Sequence, residues 1–191
     1  MSDRHQHHVL WHCGLLASSE HASILTVGDD RTAVEGRVVL PLGDVPCDIT
    51  YRLGVDAGIE TIHMEATVHA AGHRRQVVVD AVERVWTVDG EVDEALEGCT
   101  DIDLGWSPIT NTIPMRRLGL DVGESAEITA AWFRFPELEL EPNRQRYTRK
   151  AENLWRYQAG DFDFELVVDP ESGLITKYGD DLWEAVAGKR T

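Results

Sequence analysis

The stretch Ile59–Ala70, IETIHMEATVHA, decides the fold, because from Thr61 onward its apolar and polar residues alternate. Successive side chains of an extended chain point to opposite faces. One face therefore carries Ile62, Met64, Ala66 and Val68, and the opposite face carries Thr61, His63, Glu65, Thr67 and His69. An apolar face backed by a polar face is typical of a half-buried antiparallel strand.

Similar segments recur along the chain, separated at short intervals by Gly, Pro and Asp. After the turn GHRR comes QVVVDAV, and RVWTVDG ends on an Asp-Gly turn. Further strand candidates are HVLWHCGLLA, SILTVG, EGRVVLPL, CDITYRLGVD, AEITAAWFRF, RQRYTRKA, LWRYQAG, FDFELVVD and GLITKY. Helical signal is scarce: VDEALEG predicts one turn, and DDLWEAVAG predicts a short helix capped by Asp180 and ending at Gly188. The sequence predicts a mostly β protein of antiparallel strands with short helices.

A faint internal repeat aligns residues Val77–Gly90 with Leu166–Gly179 without a gap. The identical pairs are Val78 with Val167, Val79 with Val168, Asp80 with Asp169, Thr87 with Thr176 and Gly90 with Gly179. We expect one domain over residues 1–191. It is either a duplication of two β halves, 9–95 and 96–187, or a fold in which two hairpins share Val-Val-Asp and a final glycine by chance.

The length of the chain bears on its core, and its net charge limits the classes of partner it can bind. A chain of 191 residues buries roughly 70% of the surface it exposes when unfolded, so a core needs no disulfide or metal. The net charge of −16 argues against nucleic acid and anionic membrane surfaces as partners. Residues 1–16 contain no apolar run long enough for a signal peptide or a membrane span. We therefore expect a cytoplasmic protein without membrane insertion, and its oligomeric state is not indicated.

Motifs for catalysis and cofactors are absent from the sequence. The chain has no G-x-S-x-G elbow, no HExxH, no phosphate-binding glycine loop and no CxxC pair. The spacing of Cys13, Cys47 and Cys99 fits no metal site, so we expect reduced, buried thiols. Three residues of one strand face (His63, Glu65 and His69) have the spacing to bind zinc, but a solvated outer face explains them better, because the opposite face is apolar. We expect no cofactor, no metal and no catalytic residue.

The segment Cys99–Leu120 carries the most specific pattern in the chain. It fits the run GC-x-D-x-DL-x-x-(S/T)-P-x-T-N-T-(L/I)-P-(I/M)-RR-L through Gly98, Cys99, Asp101, Asp103, Leu104, Ser107, Pro108, Thr110, Asn111, Thr112, Pro114, Arg116, Arg117 and Leu118. With AAWFRFPELELEPNRQRYTR and VVDPESGLITKYGDDLW, this run resembles the bacterial family named putative glycolipid-binding, formerly a domain of unknown function. The resemblance spans nearly the whole chain. It implies a curved antiparallel sheet or open half-barrel like that of lipid-carrier proteins.

The arginine pair within this segment allows two interpretations. If Ile113–Leu118 is extended, Arg116 and Arg117 point to opposite faces, and Pro114 places the segment at a sheet edge. A buried arginine needs a partner, and Asp101 and Asp103 are the nearest acids in sequence. The pair is then either an internal Arg–carboxylate lock or, in part, a contact for the head group of a ligand.

The remaining candidate ligand contacts are Thr110, Asn111 and Trp106. The Asn111 amide and the neighbouring hydroxyls are able to hold a sugar, or to satisfy irregular backbone by local hydrogen bonds. Trp106 belongs to a set of aromatic residues that are mostly core, of which a subset is expected to line a cavity.

Three functions follow from these expectations. The first is a binding protein that holds an amphipathic, glycolipid-like or lipid-like molecule in a β-lined cavity. The second is an enzyme acting on a small or lipid-like substrate in the same cavity, favoured if Arg117, Asp103 and a histidine cluster inside. The third is a structural or interaction module without a ligand, favoured if the protein's own side chains fill the cavity.

Overall fold

The computed structural model describes residues 4–27 and 31–190, and within them fifteen strands form one sheet beside one short α-helix. The strands are β1 (Arg4–Cys13), β2 (Ser18–Val27), β3 (Arg31–Leu42), β4 (Val45–Val55), β5 (Thr61–Ala70), β6 (His73–Val82), β7 (Val85–Val88), β8 (Glu91–Val92), β9 (Asp101–Leu104), β10 (Ser125–Phe133), β11 (Leu140–Ala151), β12 (Leu154–Ala159), β13 (Phe162–Val168), β14 (Ile175–Tyr178) and β15 (Trp183–Arg190). The helix α1 is Thr112–Leu118, and 3-10 turns lie at Glu94–Leu96 and Pro108–Asn111. The prediction of a mostly β fold with short helices is confirmed.

The strand order is β8-β7-β6-β5-β4-β3-β2-β1-β15-β14-β13-β12-β11-β10-β9. Neighbouring strands are antiparallel throughout, apart from the parallel pair β9 and β10 at one end. Tight hairpins connect most neighbours: Asp89 and Gly90 both have positive φ, as a type I′ turn requires. The sheet is open and curved, as predicted.

The stretch Ile59–Ala70 folds as predicted over most of its length. Met64, Ala66 and Val68 are buried, whereas His63 and Glu65 lie on the outer face. At its start the prediction is wrong, because Thr61 is buried and Ile62 is 41% exposed. The pairing of β4 with β5 shifts register between Gly54 and Val55, and such a bulge reverses the faces of the residues beyond it.

The chain passes from β8 at one end of the sheet to β9 at the other, and two hydrogen bonds bring those ends together. The indole of Trp86 donates to the carbonyl of Cys99 (3.1 Å), and the Ile102 amide donates to Thr61 Oγ1 (3.1 Å). The curved sheet thus encloses a core in which Cys13, Cys47 and Cys99 are buried, free thiols.

The segment around the arginine pair is helical, so the prediction of an edge strand is wrong. Ser107 caps the 3-10 turn by accepting from the Ile109 amide (3.2 Å), and α1 follows directly. Pro114 lies in the first turn of α1, where its missing N–H has no intrahelical partner to lose. Gly119 ends the helix in the left-handed conformation (φ 54°).

The predicted helix after Asp180 is also wrong. Residues Trp183–Arg190 form β15, which pairs with β1. The apolar residues of DDLWEAVAG fit both periods over so short a run, and cross-strand pairing decides in favour of the strand. The predicted turn in VDEALEG is confirmed as the 3-10 turn Glu94–Leu96.

The two repeat segments occupy corresponding places in the sheet. Val77–Gly90 contains β6 and β7, and Leu166–Gly179 contains β13 and β14. In the strand order, β7 and β6 are the second and third strands of the first half, which runs from β8 to β1. In the second half, which runs from β15 to β9, β14 and β13 are likewise second and third. A duplication within one domain of residues 1–191 stays a prediction that this arrangement accommodates.

Candidate functional site: an aromatic pocket around Asp103

A carboxylate at the end of β9 is the polar centre of the candidate site. Asp103 Oδ2 accepts from Gln145 Nε2 (2.6 Å), and Tyr157 Oη lies at the limit of hydrogen bonding (3.5 Å). Asp103 Oδ1 accepts from the hydroxyl of Thr110 (3.3 Å). Loss of bulk water raises the pKa of Asp103 to about 6, although all three hydrogen bonds favour the charged form. Asp103 as a residue is half-buried and lines a pocket.

A second layer of hydrogen bonds fixes these partners. Asn111 Nδ2 donates to Tyr147 Oη (2.9 Å), and that hydroxyl donates to Gln145 Oε1 (3.0 Å). Thr110 Oγ1 also accepts from the Leu104 amide (3.2 Å). The 3-10 turn and β11 therefore hold Asp103 in one position, as a preorganised polar group requires.

Aromatic rings connect this polar centre to the surface. Phe162 stacks on Phe164 (centroids 6.0 Å apart), and Phe164 contacts Tyr178 (5.4 Å). Tyr178 contacts Tyr157 (6.1 Å), and Tyr157 contacts Tyr147 (5.3 Å). Phe162 is 49% exposed, whereas Tyr147 is fully buried. Four of the five rings, from Phe162 to Tyr157, form an apolar wall that ends at the Asp103 carboxylate, and Tyr147 packs behind Tyr157.

The pocket enclosed by this wall has a volume of 120 Å³. Half-buried Trp132 and Asn143 lie at its lining together with exposed Phe162. We call it the aromatic pocket; its lining residues are Asp103, Leu104, Gly105, Ser107, Pro108, Asn111, Trp132, Asn143, Tyr157, Phe162, Phe164, Tyr178, Leu182 and Trp183. It combines a largely apolar surface with a few fixed polar groups, the usual composition of a small-molecule site.

The two arginines lie elsewhere, Arg117 at the start of β9 and Arg116 at the turn between β13 and β14. Arg117 forms an ion pair with Asp101, which is 1% exposed, and also donates to Thr100 Oγ1 (3.2 Å). Arg116 donates to the carbonyl of Ser172 (2.5 Å). Among the described residues neither arginine lines the aromatic pocket. Both contacts hold α1 against its surroundings, and a role in ligand binding stays a prediction for Arg116 and Arg117.

The other three predicted ligand contacts have different positions relative to the aromatic pocket. Asn111 lines the aromatic pocket, and Thr110 holds Asp103 from behind. Trp106 packs inside against Phe133 (5.0 Å) and Phe135 (6.2 Å) and does not belong to the lining. Ligand binding by Asn111, Thr110 and Trp106 is not tested by these positions.

A further acid braces the wall of the pocket from the core. Glu20 of β2 is fully buried, and its Oε1 accepts from Ser107 Oγ (2.6 Å) and from the hydroxyl of Tyr51. Burial raises the pKa of Glu20 to about 8, against the opposing effect of the two hydrogen bonds. The side chain thus ties the first half of the sheet to the turn that bears Asn111.

Sequence reasoning did not identify the centre of the site. The sequence predicts Asp103 as a partner for an arginine or as part of a cluster with Arg117 and a histidine, but Arg117 pairs with Asp101. The aromatic residues of β12–β14 carried one usable signal: Phe162 and Phe164 share a strand face that ends at a turn. Gln145 and Glu20 gave none, because strand register alone brings them to their partners.

Within residues 4–27 and 31–190, no group of three or more His, Cys, Asp or Glu side chains is placed to hold a metal ion. His63 pairs with Asp80 (2.7 Å) and His69 with Asp48 (3.4 Å). No helix in the same described ranges has the length and apolar character needed to cross a membrane.

The open, curved antiparallel sheet and its aromatic pocket define a β protein with a pocket suited to a small molecule. Comparison with known proteins gives the family. The family model described as "Putative glycolipid-binding" matches residues 8–184, so the chain belongs to that family. Among solved structures, a DUF1089 family protein from Pseudomonas aeruginosa is 33% identical, with a TM-score of 0.73 over 85% of this chain and 90% of that chain. A beta-barrel-like protein of DUF1849 from Brucella abortus is 8% identical, with a TM-score of 0.46 over 98% and 97%. No curated protein matches.

Proposed function

We propose that this chain binds the sugar head group of a glycolipid-like, amphipathic molecule in the aromatic pocket. The observation that carries the proposal is the row of rings that leads from exposed Phe162 to the carboxylate of half-buried Asp103. A sugar ring offers apolar C–H faces to aromatic rings and hydroxyl groups to a carboxylate and amides. The name of the family supports the same chemistry.

The size of the aromatic pocket limits what it accepts. Its 120 Å³ lies below the roughly 300–1,000 Å³ of drug-sized ligand sites. We therefore assign it one ring-sized group, with the acyl chains outside, beginning over Phe162. The sheet interior is filled by side chains such as Trp11, Phe133 and Met64, which are fully buried. A carrier that encloses whole acyl chains is the weaker proposal for this reason.

An enzyme in the same pocket has less support. The histidine and arginine that such a cluster would need are not among the lining residues within the described chain. Asp103 is the pocket's one carboxylate there, and its hydrogen-bond partners are uncharged. The geometry favours recognition over proton transfer between charged groups.

The test is calorimetric titration with three probes: octyl β-glucoside below its micellar concentration, methyl β-glucoside and 1-octanol. We expect octyl glucoside to bind most tightly, because it has both the ring and the tail. Phe162→Ala removes an exposed ring at the mouth and should weaken octyl glucoside about tenfold, which corresponds to about 1.4 kcal/mol.

Val82→Ala is the matched control, since Val82 is 68% exposed and lies outside the pocket. Asp103→Asn should weaken octyl glucoside while leaving 1-octanol unchanged. Equal affinity for octyl glucoside and 1-octanol would contradict sugar recognition. A Phe162→Ala variant that binds like Val82→Ala would place the site elsewhere.

A further inference from the structure

A second concavity lies on the outer face of β2–β5, the face opposite the enclosed core. Its volume is 450 Å³, within the range of ligand sites. Strand register places its side chains in two rows. One row is Ser23, Glu35, Arg52 and Glu65, and the other is His21, Arg37, Thr50 and Thr67. We call this concavity the outer cleft.

The floor of the outer cleft consists of hydroxyl groups without partners. Ser23 and Thr67 are each only 8% exposed, yet neither hydroxyl makes a hydrogen bond to any residue in the described part of the chain. Thr50 lies directly opposite Thr67, is half-buried, and likewise makes no side-chain hydrogen bond within the described residues. A hydroxyl offers one donor and two acceptor positions, and these three oxygens reach the cleft, since none is among the buried side-chain atoms without a partner in the described chain. These groups are therefore available to a polar ligand in the cleft.

The rim of the outer cleft is charged but balanced. Arg52 pairs with Glu35 (3.2 Å), and Glu65 accepts from Gln76 (2.5 Å). With Arg37, the lining holds two guanidinium groups and two carboxylates, so its formal charge is zero apart from His21. The ion pair is exposed, with side chains 72% and 60% accessible, and contributes little to stability by itself. Its groups are free to hydrogen-bond a neutral ligand.

Other ligand classes fit this lining poorly. An acyl chain would cover hydroxyls and charges without replacing their hydrogen bonds. A polyanion meets the field of a chain with net charge −16. A saccharide supplies hydroxyl groups that both donate and accept, and Thr50 and Thr67 on neighbouring strands are about 4.8 Å apart, near the width of one sugar ring.

We infer that the outer cleft is a second binding site, for a neutral saccharide held by Thr50 and Thr67 on its floor and by Arg52 and Glu35 at its rim. This site goes beyond the head-group site of the aromatic pocket and does not depend on it. The two lie on opposite faces of the sheet and share none of their lining residues.

The test is an amide NMR titration of the ¹⁵N-labelled chain with the methyl glycosides of glucose, galactose and mannose at millimolar concentration. We expect at least one glycoside to shift the amides of Thr50 and Thr67. The double variant Thr50→Val, Thr67→Val should lower its affinity about thirtyfold, because two hydrogen bonds of roughly 1 kcal/mol each are lost. Thr67→Ser keeps the hydroxyl and should bind as the wild type does.

The matched control is Ser125→Ala, Thr148→Val, an exposed hydroxyl pair on the other half of the sheet whose groups bond each other (3.0 Å). Shifts confined to residues of the aromatic pocket, or their absence, would overturn the inference. So would tighter binding of methyl glucuronide, an anion. The cleft variants should leave octyl glucoside binding in the aromatic pocket unchanged, so the two sites fail or succeed separately.

Discussion

Glu20 lies in the first half of the sheet and Asp103 in the second. The two acids differ in that Glu20 is enclosed in the core, whereas Asp103 lines a pocket. Glu20 is fully buried against Tyr51 and Ser107, and its Oε2 has no hydrogen-bond partner within the described residues. Asp103 has three partners and remains half-buried at the wall of a pocket. Both have a raised pKa, about 8 for Glu20 and about 6 for Asp103.

The comparison separates a structural acid from a binding acid. A raised pKa marks a functional candidate only when the group is also accessible, because buried structural groups are shifted as well. Glu20 has the larger pKa shift and lines neither the aromatic pocket nor the outer cleft, whereas Asp103 has the smaller shift and lines the aromatic pocket. Its position in the pocket lining, more than the size of the pKa shift, is the reason we propose Asp103 as the binding acid.

The largest expected effect tests the structural side of this comparison. Folding raises the pKa of Glu20 from its ordinary 4.5 to about 8, so the folded protein takes up a proton in that interval. The stabilisation is complete below about pH 4.5 and is lost as the pH rises through 8, on the order of 4 kcal/mol in total. Urea unfolding between pH 5 and 9 measures this loss.

Glu20→Gln keeps an acceptor for Tyr51 and Ser107 but cannot ionise, so its stability should stay flatter and exceed the wild type's above pH 8. Glu91→Gln, an exposed site, is the control. If Glu20→Gln and wild type lose stability in parallel up to pH 9, Glu20 does not carry a buried proton.

A second prediction concerns the ion pair that holds α1 beside the pocket. Arg117→Met leaves the carboxylate of Asp101, 1% exposed, with Thr100 as its remaining hydrogen-bond partner. We expect a loss of about 3 kcal/mol in the free energy of unfolding, since breaking a buried pair leaves an uncompensated charge. Arg144→Met removes an 83% exposed side chain that pairs with Glu127, and it should cost less than about 1 kcal/mol.

Adding Asp101→Asn to Arg117→Met should restore part of the stability, because the buried charge disappears with its partner. Chemical denaturation of the four proteins at one pH gives the comparison. A single Arg117→Met variant as stable as Arg144→Met would contradict the lock. It would leave Arg117 available for the ligand role that the sequence also allowed.

The sequence was sufficient for the fold class because alternation is a local signal. Met64, Ala66 and Val68 needed no partner to be assigned to one face. It was insufficient for Thr112–Leu118 and Trp183–Arg190, where a short run fits both periods and tertiary pairing decides. The centre of the site was missed because Asp103, Gln145 and Tyr157 meet through the register of three strands, which no local pattern encodes.

The smallest expected effect concerns Arg116, and it distinguishes a structural role in holding α1 from a direct contact with the ligand. Its guanidinium is largely buried, which lowers its pKa, and it donates to the Ser172 carbonyl without a carboxylate partner among the described ion pairs. Arg116→Met therefore strands no buried charge, and we expect a loss of about 1 kcal/mol, the value of one hydrogen bond. Octyl glucoside binding should be unchanged, since Arg116 lies outside the aromatic pocket. A stable Arg116→Met protein that no longer binds octyl glucoside would make Arg116 a ligand contact and shift the binding site toward the turn between β13 and β14.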